Sequence, residues 1–444
     1  MTLRLLRVQP SMVCGDAQVP GDKSISHRLL LFAALADGVS HLRGLLDTGD
    51  GAATIAVLKG LGVEIQRRSD GTVVVVGGGH KSLVEPSAVL DCGRSGTTMR
   101  LCAGLLAGQP FTSTLSGDAQ LLGRPMRRVL APLAAMGASV LGRSGDGAAP
   151  FSIRGGALVG RSYHSPVASA QVKSALLLAG LFADGVTEVI EPAASRDHSE
   201  RILAALGAPI ERAGLTVRSQ RLTSSWPAIA GDVPGDPSSA AFLLAAAALR
   251  PGNDVVVRDV ALNPGRTAFL DVLRAAGATV EVVTTRTLCG EPIGDIAVRG
   301  AILRGFDVRG AMVPALIDEI PVLAVVAAFA DGPSVFADAA ELRVKETDRV
   351  ATTVDGLRRL GGDAEARPDG LVVAGGGLAG GRARSHGDHR LAMAMAVAGT
   401  AARGAVEVED AACFADSFPG FDTTFAALGV DIAWIAASAE DSPC

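Results

Sequence analysis

A handful of short runs hold most of the residues in this 444-residue chain that can bind anions or move protons: Lys23 to Arg28, Arg94 to Arg100, Ser169 to Lys173, Asp318-Glu319, Lys345 to Arg349 and Asp388-His389-Arg390. Arg124 and Ser195-Arg196-Asp197-His198 stand in loops between them. Most of these runs open an apolar segment that reads as a helix, where unpaired backbone N–H groups and the positive end of the helix dipole favour anions. Planar guanidinium forks suit phosphates and carboxylates, so this gathering of cations calls for a substrate with more than one anionic group. Asp318 and Glu346, set among the cations, are available for proton transfer. No P-loop, paired nucleotide glycine motif or metal-ligand spacing accompanies them, and the chemistry expected is one of charge and protons, with no cofactor and no metal.

Each run also has a plainer explanation. Lys23 and Arg28 can be solvated first-turn residues, Ser95, Ser169, Asp318 and Asp388 can be N-caps, and Gln171 can lie on the surface. Lys345 to Arg349 can be an exposed helix turn laced with charge pairs, and His389 a structural histidine. Recurrence is what favours chemistry, because the runs fall at equivalent positions of a repeat.

The repeat is visible directly. At an offset of 214 residues, Val233-Pro234-Gly235-Asp236 repeats Val19-Pro20-Gly21-Asp22, and Ser238, Leu243, Leu244, Ala247, Ala248, Leu249 and Gly252 repeat Ser24, Leu29, Leu30, Ala33, Ala34, Leu35 and Gly38. Lys23, His27 and Arg28 are answered by Pro237, Ala241 and Phe242, so the copies share scaffold and differ in chemistry. A helix pattern stopping at Gly and turning into a β-like run recurs at Gly62, Gly137, Gly207, Gly277, Gly361 and Gly429, where glycine suits a left-handed C′ position. Between these points lie Ala- and Leu-rich helices over 24–36, 95–107, 169–182, 238–249, 318–330 and 388–399. Strand-like runs over 72–76, 151–154, 215–218, 295–299 and 371–374 follow them. Six units of roughly 70 residues result, with a first strand from residues 1–18.

The duplicated segments mark crossings between two domains, residues 1–20 with 235–444 and residues 21–234, joined by two hinge strands with a cleft between them. One continuous solenoid is the alternative. Apolar residues make up 48% and mean hydropathy is +0.34, but the longest apolar runs, such as 320–330, are about half a membrane span. No signal segment is evident. Six scattered cysteines fit reduced thiols in a cytoplasm, and a net charge of −5 gives no reason to expect nucleic acid. Only five of the 41 basic residues are lysine (23, 59, 81, 173 and 345), which favours those positions slightly for a compact ammonium.

Eight collinear motifs then resemble one family: Pro20-Gly21-Asp22-Lys23-Ser24, Gly93-x-Ser95-Gly96-Thr97-Thr98-x-Arg100, Arg124-Pro125-Met126, Ala168 to Ser174, Ser195 to His198, Lys345-Glu346-x-Asp348-Arg349, Gly387 to Arg390 and Ser417-Phe418-Pro419-Gly420. The set is similar to that of the 5-enolpyruvylshikimate-3-phosphate synthases of the shikimate pathway. The resemblance implies an α/β (α+β) fold of two domains, an inverse α/β-barrel-like arrangement of six βαβαββ repeats, three per domain. It implies transfer of the enolpyruvyl group of phosphoenolpyruvate to the 5-hydroxyl of shikimate 3-phosphate by a cytoplasmic monomer, with no nucleic acid or membrane partner.

By matching motif, Lys23, Gly96, Arg124, Gln171, Arg349 and Arg390 would hold phosphoenolpyruvate. Lys23, Ser24, Arg28, Ser169, Gln171, Arg196, Asp318 and Lys345 would hold shikimate 3-phosphate. Asp318 would accept the proton of the attacking hydroxyl and Glu346 would exchange one with the vinyl carbon, with Lys23 assisting. Two positions depart from the family's pattern. Arg94 stands where Asn is usual, an added cation that either tightens or obstructs phosphoenolpyruvate binding, and Asp416 stands where some members carry lysine. Two alternatives stay open. One is the fold-sharing enolpyruvyl transferase of UDP-N-acetylglucosamine, whose loop cysteine has no counterpart between Gly117 and Gly123. The other is an inactive anion-binding homologue.

Overall fold

Six glycines end six helices in the same way. Gly62, Gly137, Gly207, Gly277, Gly361 and Gly429 all take φ between 80° and 115°, the left-handed region that stops a helix and frees the chain to turn into a strand. They follow the helices Asp50–Gly60, Arg127–Ala135, His198–Ala205, Ala268–Ala276, Arg349–Arg359 and Phe421–Ala427. The computed structural model describes residues 4–436; the tail from Ser438 onward, with Cys444, lies outside them. Two units result. Unit 1 comprises Met1–Pro20, Gly235–Arg286 and Ile293–Cys444, and unit 2 comprises Gly21–Pro234 with Thr287–Pro292.

Among the described residues the strands form six four-stranded sheets of one pattern, an outer strand parallel to its neighbour and the next pair antiparallel. In unit 2 the last strand, Ala230–Asp232, returns to pair with Asp37–Arg43 of the first sheet. In unit 1 the chain start supplies two strands: Cys14–Ala17 pairs with Asp254–Ala261, and Arg4–Val8 pairs with both Val406–Glu409 and Ile432–Ala436. Each unit thus closes on itself. A continuous solenoid would leave first and last segments in separate terminal repeats, so that alternative fails, and the two-domain α/β repeat fold stands.

The first helix of each repeat is the inner one: α1 (Lys23–Leu35), α2 (Gly96–Ala107), α3 (Ala170–Gly180), α4 (Pro237–Ala248), α5 (Ile320–Ala328) and α6 (His389–Ala401). Every residue of α4 and α5 is buried. A helix that is apolar all round belongs inside a core, and its alanines let backbones approach. In unit 1, α4, α5 and α6 all pack on one another. In unit 2 the approach of α2 to α3 is closer still, since a Cβ on Gly104 would stand 2.1 Å from the carbonyl of Ala175. Among the described residues no single helix is long and apolar enough to cross a membrane.

Polar residues start these helices. Asp22 accepts the N–H of Ile25 at 2.8 Å, Ser95 that of Thr98 at 3.1 Å, Asp236 that of Ser238 at 2.7 Å and Asp388 that of Arg390 at 2.9 Å. Asp318 differs from the N-cap expectation. Helix α5 begins at Ile320, Glu319 precedes it without a side-chain cap bond, and Pro321 in its first turn has no N–H to cap. The Asp318 carboxylate is engaged elsewhere.

Candidate active site

In unit 2 the capped start of α1 places Lys23, Ser24 and Arg28. Lys23 Nζ lies 3.2 Å from the carboxylate of Asp50, at the start of the following helix, and each side chain is 20% exposed. Arg28 is buried, not solvated. Its Nε donates to Ser199 Oγ at 2.8 Å, Nη2 to Ser174 Oγ at 2.9 Å and Nη1 to the Ser24 carbonyl at 3.0 Å. Burial pushes its guanidinium down to about 10, against the pull of Glu200, Asp22 and Glu291 and with the push of Arg196. A cation so desolvated gains from an incoming anion.

Four of the expected phosphoenolpyruvate and neighbouring residues come together at the start of α2. A Cβ on Gly96 would stand 3.2 Å from Nη1 of both Arg100 and Arg124. Arg100 donates to Gln171 Oε1, and Gln171 Nε2 donates to Thr97 Oγ1 at 2.9 Å. Ser169 caps α3, and its own N–H donates to Glu191 at 3.1 Å. Arg94 is exposed and donates to Asp118 at 3.1 Å, so the added cation has a carboxylate partner of its own.

Next to Arg28, His27 is fully buried, with Nδ1 2.6 Å from Thr54 Oγ1; Thr54 lies 2.7 Å from Thr98 Oγ1, which donates to Ser95 Oγ at 2.8 Å. This chain of hydroxyls ties α1 to the cap of α2. Burial pushes His27 down to about 4, with Asp50 opposing and Lys23 and Arg28 adding to the effect. A histidine lower in the folded than in the unfolded state lends stability in full above about 6.5, and that stability is lost as pH falls from there towards 4. His27→Asn is therefore expected to flatten the loss of stability between pH 6.5 and pH 4, by about 3 kcal/mol at the acid end. Urea midpoints of both proteins across that range check it, and parallel curves would rule it out.

In unit 1 the candidates converge on one guanidinium. Arg349, 1% exposed, donates from Nε to Asp388 at 2.8 Å, from Nη2 to Glu346 at 2.6 Å and from Nη1 to Asp318 at 3.2 Å. Lys345 Nζ lies 3.7 Å from Asp318 Oδ1; Arg390 Nη1 donates to the Asp318 carbonyl at 3.3 Å, with Nη2 3.9 Å from its carboxylate. Burial works to lower Arg349, but Asp388, Glu346 and Asp318 hold it above the usual arginine range. Burial works to raise Asp388, and Arg349, with His389 adding, more than cancels this, so that carboxylate sits below its usual range. The segment 345–349 is thus a wired cluster and not an exposed turn, because Arg349 starts its helix facing inward. Asp318 and Glu346 keep 14% and 23% of their side chains exposed, enough to meet a ligand.

Asp50, Thr54, Glu191, Glu200 and Arg266 went unremarked in the sequence. Arg266, fully buried, donates to Asp236 and to Ser238 Oγ, each at 2.8 Å, and Ser238 donates to Glu319, so the start of α4 carries a buried polar network of its own.

Three-repeat units whose inner helices start with guanidiniums, an ammonium and part-exposed carboxylates define a protein that binds small polyanions and moves protons among them. The sequence profile of the family described as EPSP synthase (3-phosphoshikimate 1-carboxyvinyltransferase) matches residues 8–425. The 3-phosphoshikimate 1-carboxyvinyltransferase of Desulforudis audaxviator is 51% identical over 421 residues, 94% of this chain and 97% of that one. The protein of the same name from Desulforamulus reducens is 50% identical over 411 residues, 92% and 95% of the two chains. A solved EPSP synthase from Acinetobacter baumannii superposes with a TM-score of 0.89 at 40% identity, over 97% of this chain and 100% of that one. The chain belongs to the EPSP synthase family.

Proposed function

We propose that this protein is a 3-phosphoshikimate 1-carboxyvinyltransferase, transferring the enolpyruvyl group of phosphoenolpyruvate to the 5-hydroxyl of shikimate 3-phosphate on the route to aromatic amino acids. The observation that carries the mechanism is the pair of part-exposed carboxylates, Asp318 and Glu346, held on the one buried guanidinium of Arg349. Asp318 takes the proton of the 5-hydroxyl as its oxygen attacks C2 of phosphoenolpyruvate, while Glu346, assisted by Lys23, delivers a proton to C3. The resulting tetrahedral adduct loses phosphate as a proton leaves C3 again, which restores the vinyl group. General acid–base groups accelerate such steps by about 10²–10⁴-fold.

Arg28, Ser24, Ser169, Gln171, Arg196 and Lys345 hold shikimate 3-phosphate, and Lys23, Gly96, Arg124, Gln171, Arg349 and Arg390 hold phosphoenolpyruvate. The buried, desolvated Arg28 and the two guanidiniums over Gly96 support these assignments. We further propose a cytoplasmic monomer that needs neither cofactor nor metal.

Phosphate release from phosphoenolpyruvate is the test, with shikimate 3-phosphate in one reaction and UDP-N-acetylglucosamine in the other, both with chelator. Release with shikimate 3-phosphate alone is expected; release with neither points to an inactive homologue. Gly96→Ala sharpens the assignment. Its methyl would press on two guanidiniums, and displacing each by a few tenths of an ångström is expected to raise KM for phosphoenolpyruvate about tenfold or more, with KM for shikimate 3-phosphate within about threefold. Equal effects on both constants would count against Gly96 lying at the phosphoenolpyruvate end.

A further inference from the structure

Lys173 is one of only five lysines, it is 2% exposed, and no step above uses it. Its Nζ lies 2.6 Å from Glu191 Oε2 and 2.7 Å from Glu200 Oε1, both carboxylates being buried. The other oxygen of Glu191 accepts the N–H of Ser169, the cap residue of α3. Glu200 follows Ser199, whose hydroxyl accepts from Arg28, and it is the largest of the charges that sustain the Arg28 guanidinium against burial. Ser174, beside Lys173 in the helix, accepts from the same guanidinium and lies 2.7 Å from Ser199. One ammonium therefore joins the backbone of Ser169 to the surroundings of Arg28.

Charge balance explains why a cation is needed there. Lys173 and Arg28 offset Glu191 and Glu200, while Glu291 Oε1 is in hydrogen-bond contact with His198 Nδ1 at 2.8 Å. Arg196 and Asp22 complete the charges that bear on Arg28. A compact ammonium fits between two carboxylates where a planar fork does not. Buried triads of this kind add little net stability over apolar packing, so what this one can supply is geometry.

We infer that Lys173 is a positioning residue for shikimate 3-phosphate: it neutralises Glu191 and Glu200 so that Arg28 stays on Ser174 and Ser199, oriented for the substrate, and Ser169 stays fixed at the start of α3. The inference rests on the assignment of Arg28 and Ser169 to that substrate. Without Lys173, the charge of Glu200 bears on the Arg28 guanidinium with no ammonium beside it and draws the guanidinium off its two serines.

The experiment compares the full-length wild type, Lys173→Met and the double variant Lys173→Met/Glu200→Gln by steady-state kinetics in both substrates. Lys173→Met is expected to raise KM for shikimate 3-phosphate about 30-fold, with kcat and KM for phosphoenolpyruvate within about threefold. The double variant, which removes the surplus carboxylate charge, is expected to return KM to within about fivefold of wild type, a recovery that loss of packing alone does not produce. An unchanged KM in Lys173→Met, an equal loss in all constants, or a double variant no better than the single one overturns the inference. If Lys173→Met does not fold, the double variant decides alone, because charge balance requires it to fold and to bind. Wild type inactive with shikimate 3-phosphate removes the underlying assignment instead, and is seen before any variant is made.

Discussion

Asp318→Asn is expected to lower kcat about 10³-fold while leaving the Kd for shikimate 3-phosphate within about tenfold. The asparagine side chain keeps the volume of aspartate and can still present a carbonyl oxygen to Arg349 Nη1, now at 3.2 Å. Arg349 would keep Asp388 and Glu346, so the buried cation is not abandoned. What disappears is the only property a base needs, a lone pair that can keep a proton. Lys345 and Arg390, both within 4 Å of Asp318, lose one negative neighbour and become better anion ligands, which limits any loss of binding. Calorimetric titration of shikimate 3-phosphate together with single-turnover kinetics separates the two effects. Near-normal turnover would remove Asp318 as the base; a loss of affinity beyond about a hundredfold would make it mainly a binding group.

Much of this was legible because repetition writes itself into sequence. Gly62 and its five counterparts announced where helices stop, and the duplicated Val-Pro-Gly-Asp makes the same bond in each unit: Asp22 N–H to the Pro234 carbonyl and Asp236 N–H to that of Pro20. Inner helices stood out because alanine and leucine on every face leave burial as the only outcome. Side-chain partnerships were less legible for the opposite reason. Lys173 meets Glu191 and Glu200, 18 and 27 residues on, and Lys23 meets Asp50; no periodicity links such pairs, only the return of the chain through a sheet. The N-cap expectation for Asp318 failed because its carboxylate is taken by Arg349 and Lys345, and Pro321 leaves one fewer first-turn N–H to cap. The segment 345–349 could be read either as a site or as a solvated turn, because local charge alternation looks alike on an exposed turn and in a buried cluster. The difference lies in Asp388, some forty residues away, which receives Arg349.

That contact sets up the other large effect. Arg349→Met is expected to destabilise unit 1 by about 3–5 kcal/mol, since it strands a carboxylate whose counter-charge is gone. Glu346 and Asp318 are part-exposed and can turn to solvent, but Asp388 is fully buried and also caps α6, so it cannot move away. In the wild type Asp388 lies below its usual value of 3.8, so its contribution is present above that pH and fades as pH falls through the folded value. In the variant, burial and Glu346 are opposed by His389 alone, and the folded value is expected above 3.8 instead; stability is then best in acid and is lost as pH rises through it. The deficit relative to wild type should accordingly be larger at pH 8 than at pH 5, the reverse of acid denaturation. Arg349→Met/Asp388→Asn should recover much of it, because asparagine caps a helix as well as aspartate and carries no charge to strand. Denaturant unfolding of wild type and both variants at the two pH values decides the matter. A deficit under about 1 kcal/mol, or one that ignores pH, would mean that Asp388 finds another counter-charge and that Arg349 is held in place for its ligand alone.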